Sequence, residues 1–242
     1  MGTVVADFYS KITAPLAGSD PFGSDVNYDL DYERLKGEMG KLGDIDADLV
    51  ESLSLNILTG KSKDARALAF LAYSMLRKGD FGRLADVFSA LAAYCQDDFE
   101  RIYPRREGAK VAALRWFAES RFSGQCEKVA VTAADAQDMA RLAEAILKLR
   151  SALDKRLSDS APPLSLLYKR AAEWQKSAEN AAKQAVAPVE PPVGVNDAKS
   201  VRSDSGVSSP QKAVDNDEYQ EILQCIKKVE TFIINLKQRA VV

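Results

Sequence analysis

The stretch SKDARALAFLAYSMLRKGDFGRLADVFSALAAYC, running from Ser62 to Cys95, decides the fold class. Leu68, Leu71, Ala72, Met75 and Leu76 recur at three- and four-residue steps and form one apolar stripe, the 3.6-residue period of an amphipathic helix. Ser62 reads as its N-cap, with Asp64 in the first turn where the helix dipole favours an anion. Lys78-Gly79 closes it. A second helix begins near Asp80 and carries Leu84, Val87, Phe88, Leu91 and Cys95 along one side. The short glycine-containing turn between them predicts antiparallel packing, a helical hairpin.

The same period extends in both directions. Upstream, Tyr32, Leu35 and Met39 form one helical face and Leu49, Leu53 and Ile57 another, with Gly60 as a C-cap. The first 28 residues, with Pro15, Gly18, Pro21 and Gly23 among Ser and Asp, read as an irregular entry. Downstream, a helix is predicted from about Glu107 to Phe122, with Val111, Leu114, Phe117 and Ala118 inward and Pro104 setting its approach. Thr132 and Asp135 then cap a long helix through Met139, Leu142, Ile146, Leu149 and Leu153 that reaches Leu157. Pro162-Pro163 breaks the chain, and Leu164, Leu167, Ala171, Trp174 and Ala178 continue on a second long helix. Alternating strand patterns are hard to find. The expected class is therefore all-α: a bundle of antiparallel helical hairpins over residues 1–184, a flexible linker at 185–214, and one terminal amphipathic helix in 215–242.

The linker assignment rests on composition: Pro188, Pro191, Pro192 and Pro210 are four of the nine prolines, and the stretch holds no aromatic residue. In the terminal segment Tyr219, Ile222, Ile226, Val229, Ile233 and Leu236 follow a 3-4-3-4 spacing. Burial of these six side chains does not by itself offset the ordering of about 22 residues. The helix therefore needs a partner surface: the main domain, a second copy, or a further domain beyond Val242. These six residues are the candidate interaction site.

Composition narrows the function classes. Histidine is absent, which removes Ser-His-Asp and Cys-His mechanisms and His-containing zinc sites. Thirty-three basic against thirty-five acidic side chains give no general attraction for nucleic acid or anionic membrane. Cys95, Cys126 and Cys225 are too few and too scattered for a disulfide framework or a four-thiolate metal site. The N-terminus shows no secretory signal, and no run approaches the roughly 20 apolar residues that span a bilayer. A cytoplasmic protein is expected, with no catalytic residue, cofactor or metal assigned and no direct membrane insertion.

The motifs that suggest chemistry fail on spacing. Gly60-Lys61-Ser62 resembles the end of a phosphate-binding loop, but the glycine required five residues earlier is Leu55. Asp44, Asp46 and Asp48 copy the opening of a calcium-binding loop, but its glycine and glutamate positions hold Leu49 and Leu55. They read instead as acids at a helix N-terminus. Arg101, Arg105, Arg106 and Lys110 with Tyr103 form a basic patch that Glu100 and Glu107 interrupt, the pattern of a solvated face or internal salt bridges. Trp116 and Trp174 sit among apolar neighbours as core residues.

Pro15-Leu16-Ala17-Gly18, then Gly23-Ser24-Asp25 leading into Tyr28-Asp29-Leu30-Asp31-Tyr32-Glu33-Arg34-Leu35, resembles the opening of the ImpA N-terminal domain family, found in TssA-like proteins of bacterial type VI secretion systems. Ser62-Lys63-Asp64-Ala65-Arg66 is similar to that family's SKD-x-R helix start, and Lys78-Gly79-Asp80-Phe81-Gly82-Arg83-Leu84 to its hairpin turn. Tyr103-Pro104 with Arg105, Arg106 and then Leu114-Arg115-Trp116 is similar to a later element. The likeness covers roughly residues 12 to 120. Asn27 stands where members usually carry Arg, and Phe99 where a Trp is common.

The resemblance implies a non-enzymatic scaffold that links baseplate, tube and sheath proteins during biogenesis of the secretion machine. Those proteins are the implied partners, with homo-oligomerisation and no nucleic acid. The alternatives are a helical adaptor unrelated to secretion and a histidine-free enzyme.

Overall fold

The computed structural model describes residues 7–186. Nine α-helices follow one another among these residues: α1 (Phe8–Thr13), α2 (Leu30–Met39), α3 (Ala47–Gly60), α4 (Ala65–Lys78), α5 (Phe81–Asp97), α6 (Glu107–Arg115), α7 (Ser120–Cys126), α8 (Ala136–Leu157) and α9 (Ser165–Val186). The fold is all-α, as the periodicity predicts. The linker and terminal helix, residues 215–242 included, lie outside the described residues.

Local chemistry sets the helix starts. Asp7, Asp29, Asp46, Asp64 and Asp80 each stand at the N-cap of α1 to α5, and each carboxylate accepts from free amides of the first turn. A cap of this kind is worth about 1 kcal/mol. Gly79 ends α4 at φ +68°, and the amides of Gly79 and Asp80 close on the carbonyls of Leu76 and Met75. The left-handed turn is what a glycine C′ residue provides, and α5 starts directly after it.

α4 lies at the centre. It packs against α3, α5, α6 and α7, so burial extends around it rather than along one stripe: Ala65, Ala67, Ala69, Tyr73 and Ser74 are buried beside the leucines. On its far side α5 packs along α8, the most extensive helix pair of the fold. A Cβ at Gly82 would stand 3.2 Å from the Asp138 carboxylate, so a small residue accommodates this approach. α8 and α9 form the second hairpin, sealed by Met139, Leu142, Ile146, Leu149, Leu153 and Leu157 against Leu167, Ala171, Trp174 and Ala178.

Three boundaries differ from the sequence reading, each for a tertiary reason. The entry segment contains α1. The helix after Gly60 starts at Ala65 with Asp64 as cap, because the preceding residues are extended and tied to two other segments; Gly60 itself is helical, and Lys61 follows as the C-cap. The helix predicted over 107–122 is divided: α6 ends at Arg115, a 3₁₀ turn covers Trp116–Ala118, and Glu119 is extended (φ −76°, ψ 156°) before α7. Five residues apart on a continuous helix, Phe117 and Phe122 would point roughly 140° apart. The break lets them meet edge-on with centroids 5.0 Å apart, and Trp116 joins both.

Candidate functional site

The short segment between α3 and α4, Lys61 to Asp64, joins three parts of the chain. Ser24 N–H donates to the Lys61 carbonyl at 3.1 Å, and Lys63 N–H donates to that of Phe22 at 2.9 Å. On the other edge Tyr103 N–H donates to Lys63 and Ala65 N–H to Tyr103. Between the first two contacts sits Gly23, with φ +77°, where a Cβ would lie 2.0 Å from the Lys61 carbonyl oxygen. Only glycine fits both the conformation and the space.

Three charged side chains of the segment, Lys61, Lys63 and Asp64, then hold different partners, whereas the buried Ser62 hydroxyl has no hydrogen-bond partner. Lys61 Nζ reaches Asp29 at 2.7 Å and Asp31 at 2.8 Å. Asp29 is at the same time the N-cap of α2, and its hydrogen bond from Lys61 keeps its carboxyl below the usual range. Burial opposes the Lys61 charge, but the two carboxylates outweigh it and raise its pKa.

Lys63 is only 1% exposed. Its Nζ donates to the carbonyls of Ile12 (2.9 Å) and Leu58 (2.7 Å). These carbonyls lie in the last turns of α1 and α3, where helix dipoles favour a cation. Desolvation pushes this ammonium down to about 8.

Asp64, fully buried, caps α4 and takes Arg66 in a fork, with Nε at 3.0 Å and Nη2 at 2.6 Å. The Arg66 guanidinium lies 4.4 Å over the Tyr32 ring and donates to Asn27 Oδ1 at 2.6 Å. Ser-Lys-Asp-x-Arg is therefore a clasp for residues 12–31. Its charged groups are committed to neighbours, which leaves them no free hand for chemistry on a substrate.

Beside exposed polar residues such as Ser24, Asp25 and Asn27, the clasped loop presents large apolar side chains to solvent. Tyr28 is 100% exposed and Leu30 is 73% exposed, two large side chains carried on a pinned loop at the start of α2. Singly exposed hydrophobics are common, but adjacent ones on a fixed backbone suit a protein contact. The sequence reading did not select them. A signal was present for Leu30, which falls out of phase with the buried face Tyr32, Leu35 and Met39; Tyr28 is in phase with that face and is exposed because it precedes the helix.

The other motifs resolve as structure. In Gly60-Lys61-Ser62 the lysine is taken by two carboxylates and the serine is buried. Asp46 caps α3, while Asp44 pairs with Arg77 and Asp48 with Lys78, bracing α3 against α4. The basic patch is not one surface: Arg101 pairs with Asp98, Arg105 with Asp20, and Lys110 is buried against the Phe99 ring and carbonyl. Trp174 is buried, and Trp116 is half-buried in the aromatic cluster.

A shallow cavity of about 360 Å³ opens between α7 and α9, lined by Phe117, Cys126, Leu166 and the paired Arg170 and Glu173. Burial pushes the Cys126 thiol up to about 12, far from a reactive thiolate. The six residues selected in the sequence, Tyr219, Ile222, Ile226, Val229, Ile233 and Leu236, lie outside the described residues. Among the described residues no helix is long and apolar enough to cross a membrane.

Comparison with known proteins bears on this geometry. Residues 13–119 match the family model described as ImpA, N-terminal, type VI secretion system. The clasp, the pinned loop and the α4–α5 hairpin all fall inside that span. Among solved structures, the chain is similar to the N-terminal domain, including the conserved ImpA_N region, of the TssA component of the type VI secretion system from Burkholderia cenocepacia. The TM-score is 0.60 at 12% identity, over 74% of this chain and 94% of that one. At that identity the likeness is one of fold. No curated protein sequence matches the chain.

Proposed function

We propose, from the match of residues 13–119 to the ImpA N-terminal family model, that this protein is a non-enzymatic assembly component of a bacterial type VI secretion system. In this reading it works in the cytoplasm and links baseplate, tube and sheath proteins while the machine is built. The observation that carries the reading is the family match. The site geometry supports it in kind, because the Ser-Lys-Asp-x-Arg residues hold a backbone and aim apolar side chains outward.

Two contact regions divide the work. Tyr28 and Leu30 are the contact candidates of the folded domain, and the heptad residues of 215–242 supply self-association. A segment such as 185–214 tethering the two would raise the local concentration of one contact near the partners of the other. Multivalent joining of repeated subunits needs this arrangement and needs no reaction.

The test is made in the source bacterium. Deleting the gene should stop export of the tube protein, and the full-length chain should restore it. The chain carrying Tyr28→Ser and Leu30→Ser should restore it poorly while accumulating to the same level. Baseplate, sheath or tube proteins should copurify with the wild-type chain. Export that continues unchanged after deletion overturns the proposal.

A further inference from the structure

We propose that residues 14–29 form a strap that opens and closes as a unit on the Lys61–Arg66 clasp, with ionic strength setting how often it opens. The first argument is the hydrogen-bond pattern. Within the strap the backbone bonds are internal: Leu16 N–H to Pro21, Gly23 N–H to Asp20 and Asp29 N–H to Val26, all 2.9–3.0 Å. Between its ends, its two backbone–backbone bonds to the helical body, among the described residues, are Ser24 N–H to the Lys61 carbonyl and Lys63 N–H to the Phe22 carbonyl, and the Tyr103 hydroxyl donates to the Gly23 carbonyl at 3.3 Å. A segment whose backbone is bonded largely to itself can leave as a unit.

The second argument concerns what holds the hook. Lys61 takes Asp29, Arg66 takes Asn27 with Asp25 at 3.5 Å, and Arg105 takes Asp20 at 2.7 Å. The carboxylate side chains of Asp29, Asp20 and Asp25 are 26%, 41% and 47% exposed, so water and salt reach them. Such pairs weaken as the screening length falls from about 10 Å at 0.1 M salt to about 3 Å at 1 M.

The third argument is the small apolar anchor. Leu16, Phe22 and Val26 are the strap's buried hydrophobic side chains, Phe22 meeting the Tyr94 ring edge-on and lying under the Arg101 guanidinium, compared with a helix α4 buried along most of its length. Segments with few apolar contacts and solvent-reachable bonds open locally, well below the cost of global unfolding.

The ends stay fixed during such opening. Ile12 is fully buried, and its carbonyl is held by Lys63, whose Nζ is out of reach of salt. On the other side Tyr32, Leu35 and Met39 bury α2. The moving part is thus bounded by Ala14 and Asp29, and it carries Tyr28. A partner that offers its own carboxylate to Lys61, or a change in salt, would shift how that side chain is presented. The device itself is independent of the secretion reading and can be tested without any partner.

The experiment is amide hydrogen exchange on the full-length chain, wild type against Lys61→Met and Gly23→Ala, read on peptides from residues 16–29 and from α4, α5 and α8. In wild type, raising sodium chloride from about 0.05 to about 1 M should accelerate strap exchange roughly three- to tenfold, with the helices unchanged. Lys61→Met should accelerate the strap about tenfold at low salt and blunt its salt response; Gly23→Ala should accelerate it further. Overturning results are strap rates that follow α4 in every condition, variants in which α4, α5 and α8 accelerate with the strap or the chain fails to fold, and strap rates indifferent to salt.

Discussion

Replacing Lys63 by methionine separates two opposing contributions that the same atom makes. The side chain is buried, and its Nζ donates to Ile12 and Leu58. Methionine keeps much of the apolar stem but leaves both carbonyls without that donor, at about 1–3 kcal/mol each. The variant is also relieved of burying an ammonium. With the folded value near 8 against 10.5 for the free side chain, that relief is on the order of 3 kcal/mol at neutral pH. Near pH 7 the two nearly offset, and Lys63→Met should cost only about 0–3 kcal/mol.

The pH dependence is the sharper reading. A lysine whose folded pKa is depressed binds fewer protons folded than unfolded between the two values. Wild type should therefore gain stability as pH rises from about 8 toward 10.5, and the variant lacks this gain. The neutral amine still has two N–H groups for the two carbonyls. The difference between the proteins should widen by up to about 3 kcal/mol across that window. Other groups act in the opposite direction: burial pushes the Cys95 and Cys126 thiols up to about 12, which lowers stability above pH 9. They are common to both chains and cancel. Urea unfolding followed by the fluorescence of Trp116 and Trp174, the two tryptophans of the sequence, measures the difference. A gap that is flat or narrows with pH refutes the account of Lys63 as a desolvated cation.

Four further outcomes are expected. Phe117→Ala should destabilise by about 3–5 kcal/mol, because the ring is buried and meets Phe88, Trp116 and Phe122; Leu30→Ser, at an exposed position, should stay within about 0.5 kcal/mol in the same unfolding assay. Of the three cysteines, Cys95 and Cys126 should resist thiol labelling near pH 8 in the native chain and react in denaturant, giving at most one labelled thiol by mass before unfolding. Ile226→Asp with Ile233→Asp should lower the sedimentation coefficient of the full chain, and an unchanged profile would remove residues 215–242 from the self-association reading.

The helices legible in the sequence are those whose burial is one-sided or whose caps are local. The α4–α5 hairpin, the α8–α9 pair and the end of α8 at Leu157 follow from periodicity, Gly79 and Pro162-Pro163. The errors occur where residues distant in sequence decide. Ser62 has good N-cap chemistry, yet Phe22, Ser24 and Tyr103 hold its surroundings extended until Asp64. The run from Glu107 to Phe122 is helical in period, but rings at 116, 117 and 122 converge on one cluster, which a straight helix cannot allow.

The clasp shows the same limit for function. Nothing in the local sequence marks Lys63 as buried, because its acceptors are the carbonyls at positions 12 and 58. A cation buried on helix ends without an acid beside it cannot be read from local pattern. Lys61 and Arg66 are used to fix a loop through Asp29, Asn27 and Tyr32. In and beside this loop, Tyr28 and Leu30 are large side chains left exposed to a neighbour. Ionic groups engaged in holding a loop, with exposed hydrocarbon beside them, are the physical reason to expect a protein contact at this face.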